Sequence, residues 1–269
     1  SEAEAAQGFT LTGQVEQGST VEVTIGGQRM TAQVSGSTWS VAVPASVIPT
    51  ADGDNVSIQI AATDRAGNTK SITETMVVDN VAPDAPDMTA ILWDQSQAPR
   101  GIILETSDHD VSIVRVGAGG TQTVGFNEQD LNGGNETNYA FNNVVPDGSH
   151  LVVTATDSAG NSTGTYVVLG DPDVSRSNVS LASNIGGREI DTIDLEFTEE
   201  ATLTITEAQI VAMTGEDNTV RVLGNSDETV RITGATRTGA RFEDGKNFDV
   251  YELGDATVLI DDDINNVTI

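Results

Sequence analysis

An all-β chain built as a tandem array is predicted by three observations. Apolar residues recur with period two in short runs bounded by Gly, Ser or Pro, the pattern of half-buried antiparallel strands. The segment Ala62-Thr63-Asp64-Arg65-Ala66-Gly67-Asn68 returns as Ala155-Thr156-Asp157-Ser158-Ala159-Gly160-Asn161, 93 positions later. That spacing is the length of one small β-sandwich. Composition agrees: 37% of residues are apolar and only 4% aromatic, a balance of strands and turns rather than helices.

The first domain is expected over residues 1–83. Val21, Val23 and Ile25 alternate with polar residues, as do Trp39, Val41 and Val43, then Val56, Ile58 and Ile60. Ile72, Met76 and Val78 continue the pattern less strictly. About seven such strands between Gln7 and Asp79 suggest an immunoglobulin-like sandwich without a cysteine pair. Trp39 is expected in its core.

Asp79-Asn80-Val81-Ala82-Pro83-Asp84-Ala85-Pro86-Asp87 reads as a junction stiffened by two prolines, where a flexible linker would favour Gly and Ser. A second, divergent immunoglobulin-like domain is expected over 84–172. Its clear strands are Val111–Val116, Leu151–Thr156 and Thr165–Leu169. Asn127–Asn138, with Asp130, Asn132, Asn135 and Glu136, is expected as a long polar loop and a further candidate cation site. It lacks the Asp-x-Asp-x-Asp-Gly order of an EF-hand.

The third domain, 173–269, carries no copy of the repeated segment. Thr206 before Glu207–Met213, with Gly215 beyond, predicts one short capped helix. Strands are expected at Asp194–Phe197, Thr219–Leu223, Thr229–Thr233, Phe248–Leu253 and Ala256–Ile260. The whole chain is thus read as tandem immunoglobulin-like sandwiches followed by a β-rich domain with one short helix.

Charge narrows the function. With 41 acidic and 12 basic residues the formal charge is −29, a field that repels nucleic acid and anionic membranes. Solubility or a salty medium accounts for such acidity. Bound divalent cations account better for carboxylates gathered in turns beside Gly and Asn. There is no cysteine, so a secreted chain of this kind needs a staple other than disulfides, which metal ions supply. No apolar run approaches the ~20 residues of a membrane-spanning helix. Ser1-Glu2-Ala3-Glu4 has neither the basic nor the apolar region of a Sec signal, so the chain is expected to be an excised piece or to be exported by another route. Zinc is disfavoured, since the only histidines, His109 and His150, are in unrelated segments and read as surface residues. No Gly-x-Ser-x-Gly elbow, His-Glu-x-x-His or phosphate loop is present, so no enzyme is expected.

Ser37-Thr38-Trp39-Ser40-Val41-Ala42-Val43-Pro44, Ala62–Asn68 and Val77–Pro83 follow one another in the order and spacing of bacterial immunoglobulin-like repeats. Leu203–Ile210, Asn218–Val222 and Val250–Asp261 are similar to a domain near the C-terminal end of large adhesins. Together they resemble the repetitive type I-secreted (RTX-type) bacterial adhesins and biofilm-associated proteins. The resemblance implies a secreted or cell-surface protein in cell adhesion or biofilm formation, with Ca2+ as the bound ion. It departs from that group in lacking Gly-Gly-x-Gly-x-Asp nonapeptides, so a calcium β-roll is not expected. Asp261-Asp262-Asp263 followed by Val267-Thr268-Ile269 is compatible with an uncleaved C-terminal export signal.

In such a sandwich the loop before the last strand lies at the end where the chain enters. Asp157 and Asn161 are therefore expected to face the Asp79–Asp87 junction, with Asp52 and Asp54 approaching from the first domain. Asp52, Asp54, Asp79, Asp84, Asp87, Asp157 and Asn161 make the first candidate calcium site. Asp147, Asp171 and Asp173 make a poorer second, and Asp64 with Asn68 an incomplete third. Calcium takes about six to eight oxygens, whereas magnesium demands a stricter octahedron. The same aspartates also cap their turns through Asx hydrogen bonds, with no ion involved. The leading expectation is a monomeric, non-enzymatic, calcium-stiffened extender whose partners are calcium and neighbouring domains of its parent chain. The alternative is a module binding a host or matrix glycan or protein, through the 127–138 loop or exposed Tyr139, Phe141 or Tyr251.

Overall fold

The computed structural model describes residues 6–49, 51–95, 98–117, 120–146, 149–170, 177–181, 185, 188–215 and 217–269. Among the described residues it is built of β-strands with one complete short α-helix, and it divides into two units, residues 1–82 with 158–161, and residues 83–157 with 162–269.

Unit 1 contains β1 (Phe9–Gln14), β2 (Thr20–Ile25), β3 (Gln28–Thr31), β4 (Gln33–Ser35), β5 (Thr38–Val43), β6 (Asn55–Thr63) and β7 (Thr69–Val77). A three-stranded sheet β1-β5-β4 faces a four-stranded sheet β3-β2-β6-β7, and every pairing is antiparallel. The period-two residues Val21, Val23, Ile25, Val41, Val43, Val56 and Ile58 are buried between them. Trp39 is 7% exposed and fills this core as expected. It packs so close to β1 that a Cβ on Gly13 would stand 2.6 Å from the indole, so only glycine fits there. β7 is an edge strand, exposed almost throughout, whose Lys70 and Glu74 guard it against pairing with another chain.

Unit 2 begins with β8 (Met88–Trp93), β9 (Pro99–Glu105), β10 (Asp110–Gly117), β11 (Gly120–Thr123), β12 (Phe126–Leu131), β13 (Glu136–Phe141), β14 (His150–Thr156) and β15 (Ser162–Val167). The four-stranded antiparallel sheet β12-β13-β9-β8 covers one face of the row β11-β10-β14-β15. Asn127–Asn138 is not a loop. It forms most of the β12–β13 hairpin, turned through Asn132, Gly133 and Gly134 at positive φ. Its polarity reflects an edge strand, β12, whose middle four residues are exposed. Tyr139 and Phe141 are core residues at 7% and 4% exposure, and Tyr251 is buried likewise. The aromatic surface expected for a glycan site is therefore absent at these three positions.

The remaining elements are β16 (Asn178–Val179), β17 (Ile190–Asp194), β18 (Thr202–Thr204), α1 (Glu207–Met213), β19 (Thr219–Leu223), β20 (Thr229–Arg231), β21 (Thr236–Glu243), β22 (Lys246–Leu253), β23 (Ala256–Asp261) and β24 (Asn266–Thr268). β17, β19 and β23 alternate along the chain with β18, β20 and β24, each set pairing in parallel. The result is a two-sheet parallel coil, formed without glycine-rich nonapeptides. The hairpin β21–β22 is added antiparallel onto β23. Helix α1 starts where its sequence signal lies, with Thr206 and Gln209 forming a reciprocal capping box. The strand expected at Asp194–Phe197 instead ends at Asp194. There Oδ1 accepts the Glu196 N–H at 2.9 Å and turns the chain.

β17 also pairs in parallel with β15, so one nine-stranded sheet, β11-β10-β14-β15-β17-β19-β23-β22-β21, runs through both the sandwich and the coil. β14 and β15 are buried on both faces. Leu151, Val153 and Val167 enter the sandwich core, while Val152, Tyr166 and Val168 enter the core of the coil. Their sequences, Leu151-Val152-Val153 and Tyr166-Val167-Val168-Leu169, are continuous apolar runs, as two-sided burial requires.

Candidate functional site

The asparagine that closes each copy of the repeated segment is engaged differently in the two copies. In the first, Asp64 Oδ1 accepts the N–H groups of Ala66 and Asn68, both at 2.8 Å, and Oδ2 accepts the Asn68 amide at 2.7 Å. Gly67 supplies the positive φ (89°) that the turn needs. The Asn68 side-chain and backbone bonds hold the Asp64 carboxyl below its usual pKa. Both oxygens are thus engaged inside the turn, as an Asx cap.

In the second copy Asn161 is only 5% exposed. Its Nδ2 lies 3.1 Å from the Asp79 carbonyl, 3.2 Å from Asp79 Oδ1 and 3.4 Å from the Val81 carbonyl. Three oxygens therefore gather around one point, with a partly positive N–H group in the middle. Asp52 stands nearby in the chain's hydrogen bonding, its Oδ1 accepting the Asn80 N–H at 3.2 Å. The Asp54 carbonyl accepts the Val78 N–H at 2.9 Å. Asp52, Asp54, Asp79 and Asn161 belong to unit 1, whereas Asp84, Asp87 and Asp157 belong to unit 2. Asp147, Asp171 and Asp173 lie outside the described residues.

Unit 2 holds a cavity of about 410 Å³ over the face of the nine-stranded sheet that is turned away from the coil core. Residues 84–88 run across it, fastened by the Thr165 hydroxyl donating to the Pro86 carbonyl at 2.7 Å and the Glu105 N–H donating to the Asp87 carbonyl at 3.1 Å. At its base lie Thr192 and Asp194, 4% and 2% exposed. Burial pushes the Asp194 carboxyl up to about 7, against the backbone bond from Glu196, and nearby Glu196 and Asp87 raise it further.

The cavity's two strongest bases are already engaged. Lys246 Nζ donates to Glu196 Oε1 at 2.6 Å and to Asp261 Oδ2 at 3.1 Å. Arg221 pairs with Asp244, and with Glu243 at 3.7 Å.

Beyond these strand ends, acidic turns follow β17, β19 and β23. Among the described residues, Asp261, Asp262 and Asp263 are the one group of three potential ligands whose atoms lie within 4.8 Å of one another. Asp261 is occupied by Lys246 and by the Asp263 N–H, and the other two carboxylates are exposed. Glu228, fully buried, accepts the Asn225 N–H at 2.6 Å through Oε2, and burial raises its pKa. His150 is no surface residue. Its Nδ1 accepts the Leu169 N–H at 3.2 Å, its ring lies 5.7 Å from that of Tyr166, and burial lowers its pKa.

Sequence reasoning overlooked Thr192 and Asp194. The available signal was a carboxylate inside an apolar strand, Ile190-Asp191-Thr192-Ile193-Asp194-Leu195. An acidic residue there, unlike those in turns, has to be buried or to aim at something.

No family profile and no curated protein matches the chain. Solved structures to which it is similar include a 1.5-MDa bacterial ice-binding adhesin studied for host cell surface retention, at 22% identity over 61% of this chain and 57% of that one, with TM-score 0.32. Another is a Ca2+-stabilized adhesin that helps an Antarctic bacterium bind ice, at 22% identity over 61% and 43%, with TM-score 0.32. A third is a tetra-tandem repeat from the extending region of a large adhesion protein, at 18% identity over 62% and 46%, with TM-score 0.25. The chain spans about half the length of these structures. These neighbours are bacterial adhesin domains, and their TM-scores stop short of a shared architecture. No helix among the described residues is long and apolar enough to cross a membrane.

Proposed function

We propose that this chain is a non-enzymatic extender segment from a secreted bacterial surface adhesin, stiffened by calcium at the linker that begins with Asp79. The observation that carries the reading is the seat around Asn161. A half turn of its amide exchanges nitrogen for oxygen, so the same side chain that now donates to Asp79 and Val81 offers an oxygen when a cation takes that seat. Asp79 then contributes a carboxylate and a carbonyl, Val81 a carbonyl, and water completes the shell. Asp52 and Asp54, which belong to the same unit, are the reserve of further ligands. The charge of −29 adds to the pull on any divalent cation.

Calcium binding to the folded chain alone raises stability by about 2.7 kcal/mol at a hundredfold excess over Kd. The expected result is a Tm several degrees higher in calcium than in chelator, measured by scanning calorimetry. Asp79→Ala and Asn161→Ala, each retaining the fold by circular dichroism, should lose most of the rise belonging to unit 1. An equal rise in both variants would remove the linker from the account.

A further inference from the structure

We propose that the cavity beneath residues 84–88 is a second divalent-cation site of the calcium class, with Asp194 and Asp87 as carboxylate ligands and the Thr192 hydroxyl as a neutral one. It shares only the choice of ion with the linker site and lies wholly within unit 2.

Register places the ligands on one face. Asp194 stands level with Val167 on β15 and Leu223 on β19, and Thr192 level with Thr165 and Arg221. Side chains two residues apart on a strand point the same way, so Thr192 and Asp194 line the cavity together with Thr165, Arg221 and Leu223. Asp87 comes from above, on the segment that Thr165 and Glu105 hold against the sheet.

The Thr192 hydroxyl is buried and has no hydrogen-bond partner among the described residues. A buried hydroxyl left unsatisfied is destabilising, and native structures rarely keep one without a bound water, ion or ligand. Beside it, the buried Asp194 carboxylate accepts the Glu196 N–H on Oδ1. Asp84, Glu105 and Asp244 add negative charge around the rim, while Arg221 and Lys246 are turned to other carboxylates. An anion is disfavoured by this balance, and an apolar ligand would leave the hydroxyl and carboxylate unmatched. At ~30 Å³ per water, the cavity has room for a cation that keeps part of its hydration shell. Bound there, the ion would clasp the 84–88 segment to the sheet.

The test is titration calorimetry of the full chain, stripped with chelator and titrated with calcium chloride alone. Wild type is compared with Asp194→Asn, Thr192→Val, Asp87→Asn and Asn161→Ala. The near-isosteric Asp194→Asn should lose one binding event. Asp87→Asn, at an exposed position where folding is not at risk, should weaken the same event at least tenfold. Thr192→Val should weaken it less, and Asn161→Ala should leave it intact. Unchanged stoichiometry and affinity in both Asp194→Asn and Asp87→Asn would overturn the site, as would loss in Asp194→Asn with Asp87→Asn unaffected. Loss of an event in Asn161→Ala alone would overturn this site while sparing the linker reading.

Discussion

Replacing Tyr166 by alanine is expected to destabilise unit 2 by about 3–5 kcal/mol, the range for deleting a fully buried aromatic side chain. Tyr166 sits at 0% exposure on β15, in the middle of the nine-stranded sheet, and packs into the core of the coil. Its strand neighbours Val167 and Leu169 face the opposite core. A strand packed on both sides cannot leave one core without loosening the other. The sandwich and the coil are therefore expected to unfold in a single transition that shifts as a whole in Tyr166→Ala. Urea denaturation followed by circular dichroism reads both the loss and the cooperativity. A loss under about 1 kcal/mol, or a coil that melts apart from the sandwich, would contradict the continuous sheet.

Asp194→Asn is expected to stabilise the metal-free chain at high pH. The folded-state pKa of Asp194 is raised from 3.8 to about 7 by burial, so the folded chain holds a proton that the unfolded chain releases. Stability contributed by this group therefore falls as pH rises from about 4 to 7 and stays lower above that. At ~1.36 kcal/mol per pKa unit, the wild type carries a burden of roughly 4 kcal/mol at pH 8 that asparagine lacks. In chelator the variant should be the more stable protein at pH 8 and close to wild type at pH 4. His150 acts in the opposite sense: its pKa is lowered by burial, so its contribution is lost as pH falls below its ordinary value near 6.5. Comparing wild type and variant at each pH separates the two. Calcium should reverse the ranking at pH 8, because a bound cation converts the charged carboxylate from burden to ligand.

The fold was legible wherever one face of an element meets water. Val21–Ile25, Trp39–Val43 and Val56–Ile60 show their cores by alternation, and Thr206 with Gln209 marks a helix start to the residue. The parallel coil was not legible, because β16, β18, β20 and β24 are two or three residues long and too short to display a period. The joining of sandwich and coil left a trace in the unbroken apolar runs at Leu151 and Tyr166. Periodicity alone does not separate those from an ordinary core strand. Asn127–Asn138 misled because an edge strand with polar residues on both faces looks like a loop. At the candidate sites, the repeated motif led to Asn161 and Asp79. Whether the closing asparagine turns to its own aspartate, as Asn68 does, or to the linker, as Asn161 does, depends on contacts that both copies spell with the same letters.

Small-angle scattering of the full chain, in calcium and again after exhaustive chelation, tests the calcium-stiffened extender most directly. A calcium-stiffened extender has a larger radius of gyration and a narrower distribution of conformations in calcium. Asp79→Ala and Asn161→Ala are expected to lose this response. The same radius and distribution in both buffers would contradict it.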